Sequence, residues 1–353
     1  MTTVRIYDRA FTETGVCGGF VSLKYRLCFR GAGEAELVLP MDNPAAGLLI
    51  SDGYIKVPGG EYFRICLVER DLRKCTVRAK CRGLLSFFEG AVIPEEYCFD
   101  GDVGSIMYSL ARKSRDNFPV TLDFESTGMG RTVKVSSGRS VVYDDLVSLC
   151  YMGDVGMRMD YNGGVLFFSV LSPRDRRTGS TDAVLASSKM GTFEAERLEW
   201  DLSSYKNVAV VSGTEKESGG RYTTVVRSDS LSLGDFPDGD FYDRQTLVRF
   251  ASPVRQYMYE NAEGLLELNE GEYINAMKAA GAALLGRCRP KVRLTGLSAN
   301  EDLLPGDVVT LTESYTGTTG AAVTEAVSYE YSDRGFFVTA ELEALAEPSY
   351  NKL

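Results

Sequence analysis

Leu48-Leu49-Ile50-Ser51-Asp52-Gly53-Tyr54-Ile55-Lys56-Val57 is followed by Arg64-Ile65-Cys66-Leu67-Val68, then Arg70-Asp71-Leu72-Arg73-Lys74, then Thr76-Val77-Arg78-Ala79. About 255 residues later the pattern returns. Leu303-Leu304-Pro305-Gly306-Asp307-Val308-Val309-Thr310-Leu311 leads to the run from Val323 to Tyr331, then Ser332-Asp333-Arg334-Gly335, then Phe337-Val338-Thr339-Ala340. In each copy a Leu-Leu pair and a glycine, Gly53 or Gly306, introduce a short strand. A β-hairpin with an Asp in its turn follows. A repeated unit decides an architecture, because each copy buries its apolar face against neighbours of the same kind. Two similar β units in one chain would let three chains present six similar faces.

Around the first copy, residues 1–95 read as strands and turns. Val21–Phe29 alternates and stops at Gly31-Ala32-Gly33, Glu34–Pro40 pairs back, and Leu84-Leu85-Ser86-Phe87-Phe88 closes the segment. Closely spaced strands of this kind predict a small β-barrel. Residues 96–172 change character. Apolar positions 103, 106, 107, 110 and 111 follow Asp102 with helical spacing and end on Arg112-Lys113, which predicts a capped helix. Ser140 is expected to cap a second helix carrying Val141, Val142, Leu146, Leu149 and Cys150 on one stripe. Asn162-Gly163-Gly164 predicts a tight hairpin between Met157–Tyr161 and Val165–Leu171. The segment is expected to be a compact α/β domain.

Ser172–Ser180 reads as a polar linker, and strands then resume at 192–201, 206–213 and 222–227. Residues 173–230 and 288–346 are expected to form the second barrel, split by an α-containing insertion over 231–287, with 347–353 a tail. The fold class expected is α+β, β-rich and multidomain: two similar barrels, an α/β domain and a helical insertion.

The chain has 353 residues, 44% hydrophobic and 25% charged, with a net charge of −10. An acidic balance argues against broad contact with a nucleic-acid backbone and suits a wall from which passing DNA is repelled. There is no histidine, which removes Ser-His-Asp and Cys-His catalysis, the HExxH zinc motif and histidine pH switching. Eight cysteines lack any CxxC pair, so zinc and thioredoxin-like sites are not expected and reduced, buried thiols are. The N-terminus has no signal-peptide pattern and no apolar run is long enough to span a bilayer, so no membrane insertion is expected.

Four groups of residues are candidates for chemistry. Asp235, Asp238, Asp240 and Asp243 could offer oxygens to calcium but lack the EF-hand spacing. Glu194, Glu196, Glu199 and Asp201 could serve a glycosidase, with Glu194 and Glu196 on one strand face, but no aromatic platform accompanies them. Gly31-Ala32-Gly33-Glu34 superficially suggests a phosphate loop, yet a third glycine and a following helix are missing. Arg174, Arg176 and Arg177 could meet phosphate but read as a solvated loop. No catalytic, cofactor or metal residue is assigned, and the chain does not read as an enzyme.

Three local marks carry a family resemblance: Gly33–Pro40 running into Ala45-Ala46-Gly47-Leu48-Leu49; Ser187–Thr192 with Trp200–Gly213; and Leu304-Pro305-Gly306-Asp307-Val308-Val309. The chain resembles tail-hub proteins of tailed phages over about Phe20 to Glu343, especially the siphophage Gp-thirty-seven-like (ReqiPepy-type) tail protein family. The resemblance implies a virion protein of the tail tip or baseplate, made in the bacterial cytoplasm. It implies a homotrimer whose two barrels per chain form a ring of six, matching a sixfold tail tube. Distal-tail and tube proteins, tip fibre, spike or lysin proteins, and passing DNA bound without specificity are the implied partners. No cofactor is implied. The alternatives kept open are a β-rich adhesin or carbohydrate-binding module and a hydrolase acting through carboxylates alone.

Overall fold

The computed structural model describes residues 2–115, 118–125, 128–201, 206, 208–215, 221–227, 247–251, 257–261, 264–267, 270–287, 291–313 and 318–344. Its first seven strands are β1 (Val4–Tyr7), β2 (Glu13–Cys17), β3 (Ser22–Cys28), β4 (Glu34–Pro40), β5 (Tyr54–Lys56), β6 (Tyr62–Asp71) and β7 (Thr76–Gly83). Alternation sets the faces: Ala35, Leu37 and Leu39 of β4 and Val77, Ala79 and Cys81 of β7 point into the core, with Glu36, Val38, Arg78 and Lys80 between them. Leu84–Gly90 is a 3₁₀ helix that buries Leu84, Leu85 and Phe88, a turn-based close that period-2 reading does not reveal.

The middle of the chain is β8 (Val92–Asp102), α1 (Val103–Lys113), β9 (Thr121–Glu125), β10 (Thr132–Val141), α2 (Val142–Gly153), β11 (Gly156–Asn162) and β12 (Val165–Leu171). Asp102 caps α1 as expected, accepting from Ser105 N at 2.9 Å. Ser140 does not cap α2. It lies in β10 opposite Ile93, and Val141 takes the cap position without a side-chain bond. The β11–β12 hairpin turns on Gly163 and Gly164, with φ of 57° and 91°, as a two-residue turn of this hand requires. α1 and α2 bury Met107, Leu110, Leu146 and Leu149 in one cluster with Phe88 and Phe168.

The remaining elements are β13 (Arg174–Asp175), β14 (Leu185–Ser187), β15 (Phe193–Asp201), β16 (Val208–Glu215), β17 (Arg221–Arg227), β18 (Leu247–Ala251), β19 (Tyr257–Asn261), β20 (Gly264–Glu267), α3 (Glu270–Arg287), β21 (Lys291–Ser298), β22 (Asp307–Glu313), β23 (Thr318–Ser332) and β24 (Gly335–Ala344). The sequence echo is a topological repeat. In the first unit β5 pairs with β6, β6 with β7, β7 with β4 and β4 with β3, all antiparallel. In the second, β22 pairs with β23, β23 with β24, β24 with β21 and β21 with β15, again all antiparallel. Even the irregularities match: β6 bulges between Ile65 and Leu67, and β23 between Thr324 and Ala326. Val77, Ala79 and Cys81 thus correspond to Val338, Ala340 and Leu342, all buried.

The lead-in to each unit corrects the sequence alignment by one residue. Leu49 and Leu303 are the buried pair, and Ile50 and Leu304 the exposed one. Asp52 and Gly306 both hold a left-handed backbone, with φ of 63° and 92°. The amides of Gly53 and Asp307 both donate to the carbonyl three residues back, at 3.1 Å. Gly53 therefore matches Asp307 rather than Gly306. A side chain at Gly53 would meet Tyr7 O at 2.8 Å, whereas the second unit has room there for a carboxylate.

Strands β16 and β17, expected in the second barrel, pair instead with each other and with β18 in a separate three-stranded sheet. Alternation marks a strand without naming its partner. α3 packs Tyr273, Met277 and Leu285 on Ala209 and Val211 of that sheet. Gly281 permits the close approach, since a Cβ there would lie 2.8 Å from Val226.

Two interactions tie the parts together. Phe29, 1% exposed, follows β3, and its ring fills the space above Gly156 and Gly306; a Cβ at either would lie within 2.5 Å of it. Its amide donates to Glu325 O at 2.8 Å and its carbonyl accepts from Met157 N at 3.0 Å. The second tie anchors the linker. Arg174 grips Asp307 with Nε–Oδ1 at 2.7 Å and Nη2–Oδ2 at 2.9 Å. Arg176, 5% exposed, reaches Asp307 Oδ2 at 3.1 Å, Asp302 Oδ2 at 2.9 Å and Asp182 O at 2.9 Å.

Phe29→Ala is expected to cost about 3–5 kcal/mol, read as a fall in the denaturant midpoint, because the slot between two glycines has no side chain with which to collapse. Arg176→Met leaves the buried Asp307 with one guanidinium instead of two and should cost about 3 kcal/mol. Adding Arg174→Met leaves the buried Asp307 carboxylate with no guanidinium and should cost more, and Asp307→Asn in that double variant removes the uncompensated charge and should recover part of the loss in the same urea titration.

Candidate assembly surface

The candidate chemical groups do not converge. Arg174 and Arg176 are committed to Asp307, Asp302 and Asp182, and Arg177 to Asp175, with Nη2–Oδ2 at 2.6 Å. Three arginines matched by carboxylates leave no cationic cradle for phosphate. This corrects the solvated-loop expectation as well, since Arg176 is buried. In the Gly31–Glu34 turn the Ala32 amide donates to the Tyr143 hydroxyl at 2.8 Å, and the Gly33 carbonyl accepts from Gly83 N at 2.7 Å. Gly33 is required because a Cβ would sit 2.3 Å from Arg26 O.

Glu194, Glu196 and Glu199 lie along β15, where the register slips between Ala195 and Arg197. That bulge breaks the shared parity expected from simple alternation. Ala195 and Leu198 pack against the main core, while Glu196 and Arg197 are exposed. Glu199 is held by Arg197 in a close ion pair. Asp201 belongs to the same strand, and the Asp235, Asp238, Asp240 and Asp243 loop lies outside the described residues. Among the described residues no group of three or more cysteines or carboxylates is arranged to hold a metal ion, and no helix is long and apolar enough to cross a membrane.

Cys17, Cys81 and Cys150 are buried, and burial pushes the Cys150 thiol up to about 12. Cys66 and Cys75 are exposed, unlike the general expectation of buried thiols. Cys66 is the residue the β6 bulge turns outward.

What the structure does bring together is the seam between the two β units. β23 is long enough to serve two neighbours. Its first half pairs with β22, and Ala326–Ser332 pairs antiparallel with Cys28–Ser22 of β3. One 14-stranded sheet therefore runs through both units. Facing inward across the seam, the rings of Tyr25 and Tyr329 stack at 4.8 Å. Burial holds the Tyr25 hydroxyl far above its ordinary range and pushes that of Tyr329 up to about 12, so both stay neutral donors. The Tyr329 hydroxyl donates to Leu303 O at 3.2 Å, which fixes the lead-in of the second unit to the seam.

Facing outward, Lys24 pairs with Glu330 at 3.0 Å and Arg26 with Glu341 at 2.7 Å, while Arg30 closely engages Glu325 near its end. Lys24 and Glu330 are directly opposed across the seam and contribute about 0.2–1 kcal/mol at their exposure. Arg26 reaches across β23 to Glu341 of β24, and the Arg30–Glu325 pair is largely buried. Sequence reading missed the seam. Its only trace was Lys24-x-Arg26 on one strand and Glu330 and Glu341 on two others, a complementarity visible only once the strands are paired.

A cavity of about 300 Å³ lies beside the seam, lined by Leu27, Phe29, Phe63, Glu61, Met157 and Met159 among others. Glu61 faces it, with its carboxyl raised above the ordinary range by burial. The sheet also ends openly. Among the described residues β15 is the last strand of the strand order, and β6 beyond Ile65 pairs only with β7.

No protein-family model matches the chain, and no curated protein is similar to it at a significant level. Solved structures are. A tail protein from Neisseria meningitidis MC58 matches with a TM-score of 0.57 at 10% identity, over 99% of each chain. The 43 kDa tail protein of prophage MuSo2 from Shewanella oneidensis matches with a TM-score of 0.61 at 10% identity, over 96% of this chain and 98% of that one. A prophage tail protein from Listeria monocytogenes matches with a TM-score of 0.54 at 12% identity, over 97% and 94%. At such identities the likeness is one of fold, and the fold, β-rich with few helices, is that of phage tail proteins.

Proposed function

We propose that this chain is a structural hub of a phage tail tip or baseplate, of the ReqiPepy-type siphophage kind, in which three copies form a ring. Each copy contributes two β units, so six similar positions meet a sixfold tail tube while the assembly has three chains. The observation that carries this reading is the five-strand unit built twice with one strand order and one bulge. The full-length likeness to tail proteins supports it.

In this reading the first unit spans about 1–95 and the second combines its sequence on both sides of an insertion. The α/β domain of 96–172 and the α3 module are outer attachments for distal-tail, fibre, spike or lysin proteins. The ring encloses the DNA path without sequence-specific contact, and the net charge of −10 suits a wall that DNA slides past. The role is non-enzymatic and belongs to the virion after assembly in the bacterial cytoplasm.

Light scattering and negative-stain imaging test this directly. The expected particle has the mass of three chains, threefold symmetry and six similar inner densities, alone or after mixing with tail-tube and distal-tail proteins. Compact monomers persisting under all those conditions would overturn the reading.

A further inference from the structure

From the repeat we infer that β15 of one copy pairs antiparallel with the free half of β6 of a second copy, in the register that β3 and β23 use within the chain. The inference rests on the ring reading above and names the surfaces that close it.

The two units correspond residue by residue through their shared ladders. Tyr25 stands opposite Ala35, which stands opposite Cys81; Leu198 stands opposite Leu294, which stands opposite Leu342. Cys81 and Leu342 are equivalent, so β15 is the second unit's β3, with Leu198 at the position of Tyr25. In the same way Leu67 and Ala326 both follow the bulge, so the free part of β6 is the first unit's version of the seam half of β23. Each chain thus contains one filled joint, β3 on β23, and the two separate halves of an identical joint. Both halves are open among the described residues. A head-to-tail contact of unlike surfaces closes a ring when its rotation divides the circle.

Carrying the register across sets Leu198 opposite Arg70, Arg197 opposite Asp71, Glu199 opposite Glu69 and Trp200 opposite Val68. The chemistry of the open edges fits. Val68 and Leu198 are half-buried apolar side chains already packed on the main core, and a strand laid beside each completes their burial. Arg197 against Asp71 reproduces the Lys24–Glu330 pair of the filled joint with the same signs. Glu69 against Glu199 is a like-charge pair, but Arg78 and Lys80 each lie 3.8 Å from Glu69, and Arg197 holds Glu199. The β15 bulge at Glu196 lies outside the paired stretch. Charges and a bulge on a lone edge strand are also devices that keep it solitary, and the experiment separates the two.

The test uses the full chain with Cys66→Ser and Cys75→Ser, which removes the thiols exposed among the described residues, and adds Glu69→Cys with Glu199→Cys. All four positions lie at the surface, so the fold is retained. Opposed residues of an antiparallel pair have Cβ atoms about 5 Å apart, so a short bis-maleimide should join copies into a covalent three-chain product, at a yield about tenfold above the controls. The controls are the Cys66→Ser/Cys75→Ser parent and a Glu69→Cys/Glu194→Cys chain, whose second thiol sits about 15 Å further along the strand. Amide exchange on the unmodified protein gives a second readout: residues 67–71 and 197–201 should slow together as concentration rises through assembly.

Three-chain particles with no matched cross-link and no joint protection would overturn the pairing and leave the ring reading standing. Monomers throughout, including in mixtures with tail-tube proteins, would overturn both. Equal linking in matched and displaced chains would show contact without this register and would also overturn it.

Discussion

The geometry of the whole chain depends on one aromatic ring occupying a slot that two missing side chains create. Phe29 lies where β3 leaves the sheet, between Gly156 at the start of β11 and Gly306 in the lead-in to β22. Its backbone bonds to Glu325 on one side and Met157 on the other. The first β unit, the α/β domain and the second β unit therefore meet at a single residue. Full burial of a Phe is worth roughly 2–3 kcal/mol in transfer terms, a modest sum for a chain of this length. Its larger effect is directional, because rigid packing around the ring leaves the three parts one mutual orientation.

The Arg174–Arg176–Asp307 cluster works on the same joint by different physics. Buried ion pairs recover about what desolvation removes, so their value lies in specifying one arrangement rather than in net stability. Asp307 stands where the first unit has Gly53, and the linker arginines reach it only in the second. The repeat thus keeps its strand order while its copies differ at the point where each is joined to the rest.

Much of this was legible in the sequence. The echo, the Asp102 cap and the Gly163-Gly164 turn are local chemistry, and local chemistry survives folding unchanged. Alternation in β4, β7 and β24 marked which residues face inward. What could not be read was partnership. Val208–Glu215 alternates as a barrel strand would, yet pairs with β17 and β18. Ser140 has the right residue type for a cap, but β10 runs one residue past it before α2 begins. The one-residue slip between Gly53 and Gly306 came from matching residue identity, whereas the backbone conserves a left-handed turn that Asp52 supplies in one unit and glycine in the other. The seam's charges, divided among β3, β23 and β24, had no linear signature at all.

The matching of units also identifies where this fold tolerates extra chain. In the first unit β3 joins β4 through a turn of a few residues; in the second the corresponding strands, β15 and β21, are separated by the whole module that carries α3. Closing a loop some twenty times longer costs only about 3 kcal/mol in chain entropy, and that module buries Tyr273, Met277 and Leu285 in a core of its own. The same strand order accepts both lengths. The β3–β4 turn itself has no such freedom, because Phe29 fills the glycine slot, Arg30 engages Glu325 and the Ala32 amide bonds the Tyr143 hydroxyl. Extra chain is carried on the second unit because the first has used the equivalent turn for the joint.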